Sequence, residues 1–387
     1  MGGLNIVKPL SFTRTAVPPS RIRELMALAD AMPGVLHLEA GIPDFSTPRF
    51  ILEAAAEAAG GGFTTYTPNA GLRSLRGLLL QKVREENNLD VGIDSIVVTH
   101  GATGGLALLL PTLADAGEEI LIPDPAWPDY EMLLIAAGIR PRRYPLCPEK
   151  GFQPDLGELE DLVVHQTKAL LINSPANPSG AVFPRESMLA LYEFAREHDL
   201  YLISDEVYEH ILFDVEHVSP AQFDTDGRVI SVFSFSKEFA MTGWRIGYVV
   251  APPSIAEVMT RLQEPYYSCA NSVAQKAAEV ALLRGKEVRQ SMVVAYRQRR
   301  DIALAMLPEE LVLHEPQGAF YLLLDVSPCP VADGYAFARA LLGEKRVAVA
   351  PGPAFGEVTK QAIRVSLCAA ERELVRGLER ILEFMKG

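Results

Sequence analysis

The chain has 387 residues, of which 49% are hydrophobic and 22% are charged. This composition is ordinary for a globular protein, and the length suggests two domains. The 36 lysines and arginines against 49 aspartates and glutamates give a net charge of −13. An acidic surface argues against nucleic acid or an anionic membrane as the main partner.

Targeting and redox signals in the sequence favour a cytoplasmic protein. The first residues, MGGLNIVKPLSFTR, contain no long apolar core, so no signal peptide is expected. No stretch approaches the roughly 20 apolar residues of a membrane helix. The four cysteines are scattered, without the paired spacing of a disulfide framework or a zinc site. We therefore expect reduced thiols and no metal.

The N-terminal segment predicts an arm followed by a helix. Residues 1–20 are rich in proline and are expected to be irregular. Ser20 is a candidate N-cap for a helix from Arg21 to about Ala31, with Glu24 near the capping-box position.

The segment that follows combines turns with two helices. A short strand runs into a turn rich in glycine and proline around Gly41. Residues 49–60 predict an alanine-rich helix, and residues 72–83 predict an amphipathic one. Tyr66 precedes the turn between them, where an aromatic side chain is normally only a packing residue.

Apolar strands alternate with helices from residue 95 onward. The strands are predicted in the segments SIVVT, EEILIP, KALLIN, DLYLIS and VISVFSF. This alternation is typical of an α/β fold with a mostly parallel sheet. Polar candidates follow several of these strands, at the edge where open parallel sheets bind ligands.

The C-terminal third predicts a second unit. A long amphipathic helix, KEVRQSMVVAYRQRRDIALAML, leads into the strands QGAFYLLLDV and VAVAP. The segment IRVSLCA is expected to be an exposed edge strand, on which Arg364 alternates with apolar residues and could point to solvent. A helix over residues 371–386 closes the chain.

Lys237 stands at the end of the strand VISVFSF. A lysine there is either a solvated strand end or a buried amine with a chemical role. Ser234, Ser236 and Arg245 lie in the same short segment, and hydroxyls with a guanidinium are what a bound phosphate needs. A lysine beside a phosphate site suggests a phosphorylated aldehyde held as a Schiff base.

Two further features support a charged cofactor. The Gly-rich turn at Ala102 and Thr103 opens a helix, whose free N–H groups can bind phosphate, although such a turn is weak evidence on its own. Asp205 follows a buried strand, where a carboxylate is costly unless a cation pairs with it.

The segment Ser234-Phe235-Ser236-Lys237, with Arg245 eight residues after the lysine, resembles the lysine segment of the class I and II aminotransferases. These are fold-type-I enzymes that use pyridoxal 5′-phosphate (PLP). The resemblance covers nearly the whole chain. It implies an α/β fold, with a large domain whose mostly parallel sheet is flanked by helices and a small α/β domain built from both chain ends.

The resemblance also implies domain limits. Residues 1–47 would form the arm and part of the small domain. Residues 48–285 would form the large PLP-binding domain, and residues 286–387 the small C-terminal domain.

The same resemblance assigns roles around the cofactor ring. Lys237 would hold PLP, Asp205 would pair with the pyridine nitrogen, and Trp127 would stack on the ring. Asn177-Pro178-Ser179-Gly180 resembles the family's Asn-Pro-Thr-Gly, so the Asn177 amide would donate to the phenolic oxygen, as would Tyr208. Lys237, Asp205 and Tyr208 are thus the implied catalytic residues.

The phosphate and substrate contacts are implied in the same way. The phosphate would be bound by Ala102, Thr103, Ser234, Ser236, Arg245 and, from the other subunit of a homodimer, Tyr66. The substrate would contact Gly41, Asn177 and Arg364, with its α-carboxylate on the arginine.

The implied function is transfer of an amino group from an amino acid to a 2-oxo acid. A PLP-dependent β-lyase or decarboxylase on the same fold remains an alternative, as does a catalytically inactive PLP-binding regulatory module. Some aspartate-preferring relatives carry lysine where this chain has Thr103, and Ile42 is apolar. With no second cation evident, the sequence predicts a neutral aliphatic or aromatic donor, with 2-oxoglutarate or pyruvate as acceptor.

Overall fold

The structure, a computed structural model, describes residues 8–386. Residues 1–7 of the predicted arm, and Gly387 at the end of the predicted small domain, lie outside the described residues. The helices are α1 Phe12–Thr15, α2 Arg21–Asp30, α3 Arg49–Gly60, α4 Arg73–Glu85, α5 Gly101–Leu113, α6 Asp129–Ala137, α7 Leu156–Glu160, α8 Arg185–Glu197, α9 Phe235–Glu238, α10 Pro253–Tyr267, α11 Ser272–Arg284, α12 Lys286–Met306, α13 Gly334–Lys345 and α14 Glu371–Met385.

The strands form one large sheet and two small ones. They are β1 Leu36–His37, β2 Ile96–Thr99, β3 Glu119–Asp124, β4 Arg140–Pro145, β5 Thr167–Asn173, β6 Tyr201–Asp205, β7 Val229–Ser234, β8 Gly247–Val250, β9 Tyr321–Asp325, β10 Val347–Ala348, β11 Ala350–Pro351 and β12 Ala362–Ser366. The short helix α1 lies within the arm that was predicted to be irregular. Ser20 caps α2 as predicted, because its hydroxyl accepts the N–H of Arg23.

The large sheet has seven strands in the order β2-β8-β7-β6-β5-β3-β4. β8 runs antiparallel to both of its neighbours, and the other pairs are parallel. Asn173 pairs with Asp205, which pairs with Val232. The ends of β5 and β6 and the last residues of β7 therefore meet at one edge, and the predicted mostly parallel α/β sheet is confirmed.

Helices cover both faces of this sheet because its buried strands are apolar on both sides. Ile120 and Ile122 pack in one core with α5, α6 and α10. Leu121, between them, packs in another core with α7 and α8. Period-two alternation thus supplies two hydrophobic layers from a continuous apolar run.

The second unit draws on both ends of the chain, as predicted. β1 pairs parallel with β10, while β12 lies between β11 and β9 in an antiparallel sheet. Leu25 of α2 shares one core with residues of α12, α13 and α14. The domain limits at residues 47/48 and 285/286 remain a prediction. Among the described residues, no helix has the length and apolar content needed to span a bilayer.

The prediction that IRVSLCA is an exposed edge strand is wrong. β12 is the middle strand of its sheet and all five of its residues are buried. Ile363 and Val365 face the core formed with α13 and α14, whereas Arg364 lines a cavity and is 3% exposed. The alternation correctly separated the two faces of β12, but the face that carries Arg364 meets the other unit instead of solvent.

Candidate active site

A cavity of about 590 Å³ lies at the carboxyl edge of β5, β6 and β7. Its wall also includes β12, β9 and α2 from the second unit. Every site residue predicted from the sequence except Tyr66 lines it: Gly41, Ala102, Thr103, Trp127, Asn177, Asp205, Tyr208, Ser234, Ser236, Lys237, Arg245 and Arg364. Residues from nearly the whole length of the chain therefore converge on one space.

Lys237 lies on the single helical turn α9, directly after β7. Its Nζ donates to the carbonyl oxygen of Gly41 at 2.7 Å. Burial, helped by the nearby Arg364 and Arg245 guanidinium groups, lowers the pKa of Lys237 from 10.5 to about 8. The amine is therefore partly neutral near neutral pH, as a nucleophile or base must be.

Asp205 ends β6 at the base of the cavity and is 2% exposed. The Tyr130 hydroxyl donates to its Oδ2, and the N–H of Val207 donates to its Oδ1 at 3.2 Å. Desolvation outweighs these bonds and raises the pKa of Asp205 to about 6. A cationic partner in the cavity would relieve the cost of keeping this carboxylate charged.

Asn173, at the end of β5, holds two predicted residues in place and was missed by the sequence reading. Its Nδ2 donates to the backbone oxygen of Asp205 at 2.9 Å, and its Oδ1 accepts the N–H of Asn177 at 2.8 Å. Its position follows from the parallel register between β5 and β6.

A cradle of donor groups forms where α5 begins, beside the end of β7 and Arg245. His100 precedes the helix without a side-chain cap, which leaves the first N–H groups available. Gly101 has φ +68°, and a Cβ there would lie 2.7 Å from Nη2 of Arg245, so only glycine allows this close approach. Ser234 and Ser236 supply hydroxyl groups beside it.

Arg364 reaches the cavity from β12 on the opposite wall. Its Nη1 donates to Oδ1 of Asn177 at 2.8 Å, and its Nη2 donates to the backbone oxygen of Glu39 at 2.6 Å. The guanidinium lies between two rings, 4.1 Å from the centroid of Tyr321 and 4.8 Å from that of Phe355. The rings hold the guanidinium plane fixed, ready for a planar anion.

Two aromatic residues complete the wall near Asp205. Trp127 lies with its ring perpendicular to that of Tyr130, at 5.3 Å between centroids. The Tyr208 hydroxyl is 2.9 Å from the Tyr321 hydroxyl. Burial raises the pKa of Tyr208 well above 10, so this hydroxyl keeps its proton and can donate.

Sequence reasoning missed several residues of the wall: Ser20, Ile22, Arg23, Met26, Tyr130, Asn173 and Tyr321. The first four belong to α2 or its cap, and no local pattern indicates where that helix docks. Tyr321 stands in the strand segment QGAFYLLLDV, but its alternation does not distinguish a core face from a cavity face.

Tyr66 is not part of this cavity. It is 86% exposed and lies in the segment between α3 and α4. Its side chain therefore does not line the cavity of its own subunit.

The donor set fits PLP. Arg364 has a buried Nε without a hydrogen-bond partner among the described residues, which leaves the guanidinium able to bind a further anion. The α5 cradle offers N–H, hydroxyl and guanidinium donors for a phosphate, the buried carboxylate of Asp205 suits a protonated pyridine nitrogen, and Lys237 suits an aldehyde. Fold and site together define a PLP-dependent enzyme.

Comparison with known proteins agrees with this class. The family model for "Aminotransferase class I and II" matches residues 33–381. An aspartate aminotransferase from Pyrococcus abyssi is 39% identical over 376 residues, covering 96% of both chains. An aromatic-amino-acid aminotransferase from Thermococcus litoralis is 36% identical over 376 residues, also covering 96% of both.

A solved structure of aspartate aminotransferase from Thermus thermophilus with maleate superposes with a TM-score of 0.92. It is 37% identical and covers 98% of this chain and 100% of the other. The chain belongs to the class I and II aminotransferases, and its activity is PLP-dependent transamination.

Proposed function

We propose that Lys237 holds PLP and moves the proton during amino transfer, while Asp205 and Arg364 fix the cofactor and the substrate. The observation behind this proposal is that α9, β6 and β12 bring the three side chains to one cavity. When bound, PLP supplies the electron sink for the charge left by removal of the substrate Cα proton. The Asp205 carboxylate would support this role by keeping the pyridine nitrogen protonated.

Lys237 is the base in this proposal. Its pKa of about 8 leaves a useful fraction of the amine neutral near pH 7. When the substrate amine replaces Lys237 on the cofactor, the freed Nζ would take up the proton that leaves the substrate Cα. The hydrogen bond to Gly41 O keeps the amine on the substrate side of the cavity.

The other predicted residues position the two ligands. Asn177 uses its Oδ1 to accept from Arg364, which leaves Nδ2 to donate to the phenolic oxygen together with Tyr208. Trp127 covers the ring. The phosphate receives the cradle donors: Ala102 N–H, Thr103 N–H, Ser234, Ser236 and Arg245. The substrate α-carboxylate binds Arg364 near the backbone of Gly41.

Reduction with borohydride tests the assignment of Lys237. Mass spectrometry of the digested, reduced protein should find the pyridoxyl group on Lys237. A label on Lys168 or Lys276 would overturn the assignment. In parallel, an amino acid added without an acceptor should give 2-oxo acid up to about one equivalent per subunit and no ammonia. Continued ammonia release would instead indicate a β-lyase.

We propose a dicarboxylic substrate, which revises the expectation of a neutral donor. That expectation depended on finding no second cation, yet Arg23 of α2 lines the same cavity as Arg364. Arg23 also acts on Asp129, opposing the rise in its pKa that burial causes. A distal carboxylate would therefore find a cation within the same subunit. Relatives named for aspartate and for aromatic donors support testing both classes.

Steady-state kcat/KM for alanine, leucine, phenylalanine and aspartate decides between the two expectations. An aspartate value more than about tenfold above every neutral donor, about 1.4 kcal/mol, supports the dicarboxylic substrate. A kcat/KM for a neutral donor above that for aspartate would instead support the neutral donor expected from the sequence.

We propose that the active unit is a cytoplasmic homodimer in which Tyr66 reaches the phosphate of the partner's cofactor. Tyr66, Phe63 and Tyr266 are all exposed, and exposed large aromatic side chains are candidates for an interface. The cytoplasmic assignment is supported by the four cysteines, which form no disulfide.

Subunit mixing tests the shared site. Tyr66→Ala and Lys237→Ala are each expected to lose activity, but mixed dimers contain one site with both native residues and should regain part of it. A mixture without regain, or a fully active monomer in sedimentation, would refute the arrangement.

A further inference from the structure

Tyr321 touches both functional halves of the cavity, although it comes from β9 in the second unit. Its hydroxyl is 2.9 Å from the Tyr208 hydroxyl. Its ring centroid is 4.1 Å from the guanidinium carbon of Arg364. The side chain is 2% exposed, so both contacts are made away from solvent. Tyr208 belongs to the cofactor side of the proposed site and Arg364 to the substrate side.

We propose that Tyr321 is a positioning residue with two separable parts, a hydroxyl that strengthens proton donation by Tyr208 and a ring that fixes the plane of Arg364. This inference rests on the proposed function, in which Tyr208 donates to the phenolic oxygen of PLP. It assigns Tyr321 no contact with the reacting atoms.

The direction of the hydroxyl bond follows from counting protons. A tyrosine hydroxyl has one proton to donate and can accept as well. When Tyr208 gives its proton to the phenolic oxygen, the bond between the two tyrosines must be donated by Tyr321. Hydrogen bonds in such a chain polarise one another, more so in a buried site. Tyr321 therefore makes Tyr208 a stronger donor.

The packing around the hydroxyl leaves it little freedom. A Cβ added at Gly41 would lie 2.1 Å from Oη of Tyr321, so the backbone at Gly41 lies directly against the hydroxyl. The same Gly41 carbonyl accepts from Nζ of Lys237 at 2.7 Å. A glycine at position 41 is thus required by Tyr321, and the hydroxyl is confined between that backbone and Tyr208.

The ring acts on the substrate side. The ring centroid of Tyr321 lies 4.1 Å from the guanidinium carbon of Arg364, and that of Phe355 lies 4.8 Å from it, so the two rings enclose the guanidinium. A fixed guanidinium plane favours bidentate binding of a carboxylate. Removing only the hydroxyl should leave this effect intact, whereas removing the ring should weaken substrate binding.

The test compares Tyr321→Phe, Tyr321→Leu and the control Tyr144→Phe by pH titration of the absorption band of the lysine-bound cofactor. Tyr144 is a buried tyrosine outside the cavity that donates to the backbone oxygen of Leu171. Weaker donation to the phenolic oxygen leaves more charge on the nitrogen that joins Lys237 to the cofactor. Tyr321→Phe should therefore move the midpoint to higher pH by about half a unit. Tyr144→Phe should not move it.

The kinetic readout separates the two parts. Tyr321→Phe should lower kcat and leave KM for the amino acid within about twofold, because the ring remains, whereas Tyr321→Leu should also raise KM roughly tenfold. A Tyr208→Phe variant should shift the midpoint in the same direction and further. Adding Tyr321→Phe to it should cause no additional shift, since the hydroxyl acts only through Tyr208.

Two outcomes would overturn the inference: a Tyr321→Phe enzyme that titrates like the wild type, or a double variant whose shift is the sum of the single shifts. A purely structural role would lower thermal stability without moving the midpoint. If the wild-type and Tyr144→Phe proteins show no titrating band and no borohydride label on Lys237, the proposed function fails instead.

Discussion

Rebinding of PLP to the cofactor-free protein should accelerate as the pH rises from about 6.5 to about 9, with a midpoint near 8. Only the neutral amine of Lys237 can attack the aldehyde of the cofactor. Burial is the main cause of the lowered pKa, to about 8, because desolvation disfavours the charged amine. Raising the pH through this value converts the amine to its reactive form.

The magnitude follows from the two pKa values. At pH 7 a lysine with pKa about 8 is neutral in roughly one molecule in ten, against roughly one in 3,000 for an ordinary lysine at 10.5. The rate at pH 7 should therefore exceed, by about 300-fold, that expected from an unperturbed lysine of equal intrinsic reactivity. Arg364→Met removes a cation that lowers the pKa of Lys237, so it should move the midpoint to higher pH.

Stopped-flow absorbance after mixing PLP with the cofactor-free protein gives the rate at each pH. Nα-acetyl-lysine, whose side-chain amine is free, is mixed with PLP under the same conditions. It supplies the rate profile of an unperturbed amine and corrects for ionisation of the cofactor. Lys237→Arg controls for non-covalent binding. A midpoint above about 10, close to that of free lysine, would refute the argument that burial activates this amine.

Three substitutions test the remaining roles. Asp205→Ala should lower turnover by about 10²-fold or more while the folded protein still binds PLP; near-normal turnover would contradict its proposed pairing with the pyridine nitrogen. Arg364→Lys retains the charge but not the fork geometry, so kcat/KM should fall at least about tenfold for every amino acid tested; an unchanged value would exclude bidentate binding there. Arg23→Gln should lower kcat/KM for aspartate by about tenfold and leave that for phenylalanine nearly unchanged; equal losses for both would remove Arg23 from distal recognition.

The sequence predicted those parts of the site whose positions depend on strand ends. Asp205 ends the apolar strand β6 and Lys237 comes directly after β7, and the ends of neighbouring parallel strands must meet at one edge. The fold class could be predicted for the same reason, since alternating strands and helices leave few arrangements.

Contacts between distant segments could not be predicted in this way. Tyr130 of α6 donates to Asp205 at the end of β6, and Arg23 lines the cavity from α2 of the second unit. Neither placement has a local signal in the sequence. Arg364 illustrates the limit most clearly, because alternation correctly separated it from its apolar neighbours but could not identify what covers its face of β12.

The protein as a whole is acidic, whereas its cavity is lined by more basic than acidic residues. The chain carries a net charge of −13, yet the cavity is lined by four basic residues, Arg23, Lys237, Arg245 and Arg364, against three acidic ones, Glu39, Asp129 and Asp205. Low-dielectric walls make the nearby charges count more than the distant surface. The guanidinium groups that would hold a phosphate and a carboxylate also disfavour the protonated amine of Lys237. The same cations can therefore bind anionic ligands and maintain a reactive lysine beside them.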